Sequence, residues 1–200
     1  MAEFVVPCLF GLEGPCADEL RRMGIQDVRA ENGRVRFAGD ALACAKANLR
    51  LRTGERVLLL AGRFPAGDFD ALFEGVKALP LADVIPRDGQ FPVKGYCLNS
   101  ALSSVPACQR TVKKAAAIAL GRAYGVQTLP ETGDMYQLQF AILKDVAEIY
   151  LDTTGAPLFK RGYRPGHVAA PLRETLAAAL VGFARYRGRD AFCDPFCGSG

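Results

Sequence analysis

Val28-Arg29-Ala30-Glu31-Asn32-Gly33-Arg34-Val35-Arg36-Phe37 reads as a β-hairpin. Apolar residues alternate on both sides of Asn32-Gly33, a dipeptide suited to the two positive φ angles of a type I′ turn. Toward the N-terminus, Glu13-Gly14-Pro15 opens a helix with Cys16, Leu20 and Met23 at i, i+4 and i+7, and Gly24 stops it. Residues 3–10 before that helix read as a buried strand. Beyond the hairpin, Asp40 caps a second helix through about Arg52, and Arg56–Phe64 is another strand. The order is β-α-β-β-α-β.

That order is the split βαβ of ferredoxin-like domains, and it sets the fold class as α/β (α+β). Phe64-Pro65-Ala66-Gly67 is a connector. Asp68 then caps a helix with Phe69, Leu72, Phe73, Val76 and Leu79 on one face. A strand near Phe91–Leu98, a helix over 105–123, and strands at about Met135–Leu143 and Val146–Asp152 complete a second small α/β layer. A tight turn at Lys144-Asp145 joins the last two strands. Lys160-Arg161-Gly162-Tyr163-Arg164-Pro165-Gly166 is a basic linker. After it come a helix from Leu172 to about Arg185 and a short strand, Asp190–Asp194, leading into a glycine loop.

The bulk numbers narrow the class. Two hundred residues with 50% hydrophobic content bury a real core. No run approaches the ~18 apolar residues of a membrane span, and Met1-Ala2-Glu3 does not start a secretory signal, so a cytoplasmic protein is expected. Seven cysteines (8, 16, 44, 97, 108, 193, 197) contain no Cys-x-x-Cys pair, and His167 is the one histidine. This excludes the usual zinc spacings and favours reduced, structural thiols. The net charge of +4 is uneven: +2 over 1–66, −2 over 67–158 and +4 over 159–200. A polyanion site is therefore a local patch.

The glycine loop carries the most chemistry. In Asp194-Pro195-Phe196-Cys197-Gly198-Ser199-Gly200 the acid precedes the glycines. Glycines allow close backbone approach to a ligand, and the carboxylate addresses a cationic or hydroxyl group on it. A dinucleotide site places its acid about 20 residues after Gly-x-Gly-x-x-Gly, and a P-loop needs Gly-Lys-Ser/Thr. The order here suits S-adenosylmethionine, whose methionine end carries an ammonium. An ordinary turn and an NAD-dependent oxidoreductase are the alternatives.

The helix over 105–123 places Cys108, Val112, Ala115, Ala116, Ala119 and Ala123 on one face. Arg110, Lys113 and Lys114 lie opposite with Ala117 and Gly121, a surface for phosphate or simply a solvated face. The amides after Ser103-Ser104 offer a further phosphate contact. Arg161, Tyr163 and Arg164 combine guanidiniums with an aromatic ring, suited to phosphate and base stacking. Arg185, Arg187 and Arg189 complement a helix C-terminus instead. His167 and Cys197 have no partner that makes either a base or a nucleophile.

The seven-residue loop, Ala170-Pro171-Leu172-Arg173-Glu174-Thr175-Leu176-Ala177-Ala178 and Lys160–Arg164 together resemble the THUMP-domain class I RNA methyltransferases. Ala47-Asn48-Leu49-Arg50-Leu51-Arg52-Thr53-Gly54-Glu55-Arg56-Val57 and Cys108-Gln109-Arg110-Thr111-Val112-Lys113-Lys114-Ala115 carry the same likeness, nearest to the bacterial 23S ribosomal RNA guanine-N2 branch. The resemblance implies a ferredoxin-like domain at 1–66, a THUMP RNA-binding domain at 67–158, and a linker with the start of a Rossmann-like methyltransferase domain at 159–200. It implies S-adenosyl-L-methionine held by Asp194, Pro195, Phe196, Cys197, Gly198, Ser199 and Gly200, flanked by Pro171, Leu172, Glu174 and Thr175. RNA contacts fall to Arg110, Lys113, Lys114, Lys160, Arg161, Tyr163 and Arg164. The expected partner is structured RNA, ribosomal first and transfer RNA second, with no metal and no membrane. The family's Asn-Pro-Pro-aromatic motif is missing: Asn32, Asn48 and Asn99 are the asparagines, and none precedes proline. Catalytic residues are thus expected beyond residue 200, and residues 1–200 alone are expected to be inactive. A transfer-RNA guanine methyltransferase and a non-enzymatic THUMP adaptor are the competing readings.

Overall fold

The computed structural model describes residues 1–162, 172–186, 188–189 and 191–197. The chain forms two compact units, one of residues 1–57 with 153–200 and one of residues 58–152.

In the first unit β1 (Ala2–Pro7), α1 (Glu13–Arg22), β2 (Arg29–Glu31), β3 (Arg34–Gly39) and α2 (Ala41–Arg50) follow the expected order. β3 lies between β2 and β1, antiparallel to both, with Phe4 opposite Phe37 and their rings stacked at 5.1 Å. Cys16, Ala17 and Leu20 of α1 and Ala47 of α2 are buried. Asp40 caps α2 as expected, accepting from the Ala43 amide at 2.9 Å.

The hairpin forms where the sequence places it, but its turn differs from expectation. Gly33 takes a positive φ (71°) and Asn32 does not, so the turn is not type I′. The Glu13 carboxylate accepts the Gly33 amide at 2.8 Å and the Gly11 amide at 2.8 Å, which fixes the turn from outside the hairpin.

The second unit contains β4 (Leu58–Pro65), α3 (Phe69–Lys77), β5 (Val93–Leu98), α4 (Val105–Tyr124), β6 (Leu138–Leu143) and β7 (Val146–Asp152). Its strands run β4-β7-β6-β5, with β5 parallel to β6 and the other pairs antiparallel. β4 corresponds to the strand that closes the β-α-β-β-α-β order. It pairs with β7 from Leu58 opposite Asp152 to Pro65 opposite Val146. Its Leu59, Ala61 and Phe64 pack on the core of this second unit, and that burial decides the strand's allegiance.

α4 supplies Cys108, Val112, Ala115, Ala116 and Leu120 to that core. Two expectations about its faces are corrected. Ala123 is exposed, and Gly121, assigned to the outer face, is buried. A Cβ at Gly121 would sit 2.8 Å from the Val126 carbonyl oxygen, because the chain folds back over the end of the helix after Gly125 (φ 64°). Ser104 makes no side-chain cap at the other end of the helix. The primed turn is found between β6 and β7, where Lys144 (φ 50°) and Asp145 (φ 60°) are both left-handed. Asp145 is held there by the Ala101 amide on its carboxylate (2.7 Å) and by its own amide donating to Ser100 Oγ (3.1 Å).

After β7 the chain returns to the first unit, where α5 (Glu174–Phe183) buries Thr175 and Ala179. The short strand expected at Asp190–Asp194 is not formed: residues 191–194 carry no strand pairing, and Asp190 lies outside the described residues. A strand exists only through hydrogen bonds to a neighbour, and none lies beside these residues among those described. Among the described residues no helix is long and apolar enough to cross a membrane.

Candidate functional site

The described part of the loop expected to hold the cofactor is built on Asp194. Its Oδ1 accepts the Phe196 amide at 2.9 Å, closing an Asx-type turn around Pro195. The other carboxylate oxygen has no partner among the described residues, and the Phe196 ring is 92% exposed. Such a carboxylate fits the ammonium of an amino-acid moiety, which is what the methionine end of S-adenosylmethionine presents. Cys197 is exposed. Gly198, Ser199 and Gly200 lie outside the described residues, as do Pro171, Tyr163 and Arg164.

The flanking residues divide. Leu172 is exposed and Glu174 half-buried at the start of α5. Thr175 is 1% exposed and directs its hydroxyl to Glu55 Oε1 at 3.2 Å. Arg173 donates to the same oxygen at 3.3 Å, and its guanidinium lies 5.0 Å from the Phe159 ring centroid.

The three cations of α4 also separate. Arg110 and Lys114 are exposed, and Arg110 forms no ion pair among the described residues. Lys114 Nζ sits 6.0 Å from the Phe73 ring centroid, and Lys77 Nζ lies 5.7 Å from the same centroid. Lys113 turns inward. Its Nζ meets Glu131 Oε2 at 2.5 Å and the Phe91 carbonyl at 3.2 Å. Of the three expected phosphate contacts on this helix, two therefore face solvent.

Arg161 is occupied as well. Its guanidinium donates to the carbonyls of Asn48 (3.0 Å), Leu49 (2.6 Å), Leu51 (2.6 Å) and Leu158 (2.9 Å). Three of these are carbonyls at the C-terminal end of α2, where a helix has unsatisfied acceptors and partial negative charge. Lys160 beside it is exposed.

Sequence reading missed one basic group. Arg22, Arg50 and Arg52 line a shallow depression with Glu19 and Met23. Glu19 accepts the Arg52 amide at 2.8 Å and the Thr53 amide at 3.3 Å, and it lies 3.5 Å from Arg52 Nε. Its charge is thus engaged from one side, leaving arginines to dominate the rim. No sequence signal marks the group, because Arg22 is separated from Arg50 by a hairpin and a helix. Among the described residues no cluster of His, Cys, Asp and Glu has the makings of a metal site.

Two carboxylates in the first unit are held below the usual range. For Glu13 the main cause is the Gly33 amide. For Glu31, burial raises the pKa, but the bonds and charges of Arg36 and Arg34 outweigh it. Burial, reinforced by the neighbouring Cys97 sulfur at 3.7 Å, pushes the Cys108 thiol up to about 12, so it is inert.

Three family profiles match in sequence: an RlmL ferredoxin-like domain over residues 3–58, a THUMP domain over 66–152, and an RMKL-like methyltransferase domain over 161–200. The chain thus resembles, in this order, a ferredoxin-like domain, a THUMP domain and the first part of a methyltransferase domain. It is 46% identical over 192 residues to the Bacillus subtilis protein described as "Putative RNA methyltransferase YpsC", covering 95% of this chain and 50% of that one. It is 33% identical over 203 residues to the ribosomal RNA large subunit methyltransferase K/L of Pseudomonas putida, covering 99% of this chain and 28% of that one. A Listeria monocytogenes structure described as a predicted N6-adenine-specific DNA methylase superposes with a TM-score of 0.95 at 46% identity, over all of this chain and 52% of that one. SMU.472, solved as a complex with SAH, gives 0.93 at 39%, over all of this chain and 53% of that one. The chain thus spans half the length of the first relative and about a quarter of the second.

Proposed function

We propose that this chain is the RNA-gripping part of an S-adenosyl-L-methionine-dependent methyltransferase that modifies the exocyclic N2 of guanine in ribosomal RNA. The observation that carries the reading is the Asp194 turn, with one carboxylate oxygen engaged by backbone and the other without a partner among the described residues, placed after a THUMP-matching unit. The cofactor supplies an electrophilic methyl group when bound. Asp194 holds its ammonium, and the glycines that follow in sequence let the backbone approach it. SAH in the structure of SMU.472 supports this choice of cofactor.

Chemistry on a base edge requires the nucleotide to leave its stack, so the remaining RNA must be held by surfaces away from the reaction. Arg110 and Lys114 on α4, and separately the Arg22, Arg50 and Arg52 group, provide cations for that purpose. Lys160, Tyr163 and Arg164 keep their proposed RNA role. Arg161 and Lys113 act on RNA only indirectly, because their charged ends are spent on protein atoms.

The names of the relatives disagree about the acceptor: two specify RNA, and the Listeria structure's description specifies adenine in DNA. The THUMP match favours RNA. Mass spectrometry of nucleosides from ribosomal RNA, transfer RNA and genomic DNA of a deletion strain decides between them. Loss of one N2-methylguanosine in ribosomal RNA is the expected result. A loss confined to transfer RNA moves the substrate there, and a loss of N6-methyladenine from DNA overturns the RNA reading. Calorimetry on the full-length protein with S-adenosylmethionine and NAD tests the cofactor, and heat with NAD alone rejects it.

A further inference from the structure

The segment after β7 is stitched to the first unit along its course. Arg56 Nη1 donates to the Gly155 carbonyl at 2.6 Å, and the Leu158 amide donates to the Glu55 carbonyl at 3.0 Å. Asn48 Nδ2 donates to Thr153 Oγ1 at 3.1 Å, while Thr154 Oγ1 donates to Asn48 Oδ1 at 2.7 Å. Two side-chain anchors then bracket the basic linker. At its start, the Arg161 guanidinium takes the carbonyls of Asn48, Leu49 and Leu51. After it, Arg173 and the buried Thr175 of α5 both converge on Glu55 Oε1. Both anchors grip one short stretch, residues 48–55.

From this convergence we propose that residues 48–55 are a two-point brace, with Arg161, Glu55 and Thr175 as positioning residues. The brace fixes the first helix of the methyltransferase domain against the ferredoxin-like domain. The inference rests on the functional reading above, and it assigns Thr175 a role other than flanking the cofactor.

Two physical features make the brace stiff. A guanidinium presents five donors in a rigid plane, so one side chain satisfies several helix-end carbonyls at once, which a lysine ammonium does not reproduce. Thr175 is nine-tenths buried or more and anchors to a carboxylate whose other ligand is a cation, a charge-assisted arrangement. The functional consequence follows from geometry: an RNA held by one domain reaches a methyl donor held by the other only if their relative placement is kept. Misplacement of about 1 Å costs about 100-fold in rate.

The test uses the full-length protein with Arg161→Gln, Thr175→Val and Thr175→Ser. Hydrogen exchange reads the brace directly. SAH calorimetry, filter binding of total ribosomal RNA from the deletion strain, and methyl transfer to that RNA read its effect. In Arg161→Gln and Thr175→Val, amides of 156–162 and 174–178 are expected to exchange faster. The kcat falls about 10- to 100-fold while SAH and RNA affinities stay within about twofold. Thr175→Ser, which keeps the hydroxyl, is expected to restore both exchange protection and kcat. The proposal is overturned if exchange is unchanged, if turnover survives faster exchange, or if Thr175→Val weakens SAH in proportion to turnover. Absence of SAH binding by the unaltered protein rejects the functional reading instead, and the exchange measurements still decide the brace.

Discussion

Lys113 Nζ lies 3.4 Å from the centroid of the Phe91 ring, against the start of the chain that leads into β5. The same ammonium bonds Glu131, whose backbone is left-handed (φ 45°), so one cation ties α4 to two loops. A residue that sequence periodicity assigns to a phosphate surface is therefore an internal tether.

Lys113→Met is expected to lower stability by about 1–2 kcal/mol, the worth of a partly desolvated cation–π contact plus its ion pair. Urea melts measure it, and the slope of RNA affinity against salt should not change. A flattened salt slope in this variant would return Lys113 to the RNA surface.

Arg110→Ala combined with Lys114→Ala is expected to do the reverse. Both side chains are exposed, so stability should shift by less than about 0.5 kcal/mol. The plot of log affinity against log salt should lose about 0.7 in slope for each contact to single-stranded RNA. Filter binding across a salt series gives the answer.

Arg22→Ala, Arg50→Ala and Arg52→Ala together probe the depression in the first unit. Loss of salt-dependent RNA affinity equal to or greater than that of the α4 pair would make the ferredoxin-like unit a second RNA footing. Arg52 also faces Glu19, so Arg22→Ala with Arg50→Ala alone serves as the version that leaves this ion pair intact.

Acid stability follows from Glu13 and Glu31. Both folded-state pKa values are lowered, so their contribution is complete above the ordinary carboxylate pKa of about 4.3. It is lost as pH falls through the depressed values. Urea midpoints between pH 7 and pH 3 should fall less steeply in Glu13→Gln with Glu31→Gln than in the unaltered protein, although the double variant is less stable at neutral pH.

Lys144→Gly addresses the β6–β7 turn. Lysine pays a steric cost in the left-handed region that glycine avoids, partly offset by glycine's larger freedom when unfolded. A net gain of about 0.5 kcal/mol is expected, read as a rise of about 1–2 °C in Tm.

Much was legible without coordinates. The aspartate caps at Asp40 and Asp68, β7 at Val146–Asp152, and the buried stripe Cys108, Val112, Ala115 and Ala116 on α4 follow from local rules. These depend on neighbours within a few residues, and the chain states those neighbours directly. The proposal that Asp194–Gly200 holds the cofactor rests on a contiguous run in the same way.

The sequence by itself determined most of the elements, their order and the acid-then-glycine pattern of Asp194–Gly200. Tertiary structure alone decided which charges are free. Arg161 and Lys113 look like their solvent-facing neighbours in sequence, yet each is consumed by partners at least 18 residues away in the chain, apart from the local Leu158 carbonyl. It also decided the side taken by β4, since an apolar strand goes where its face is buried and hydrogen-bonded, and that depends on β7 some 80 residues later. Arg22, Arg50 and Arg52 meet for the same reason: an electrostatic patch is a property of folded proximity, and spacing along the chain does not encode it.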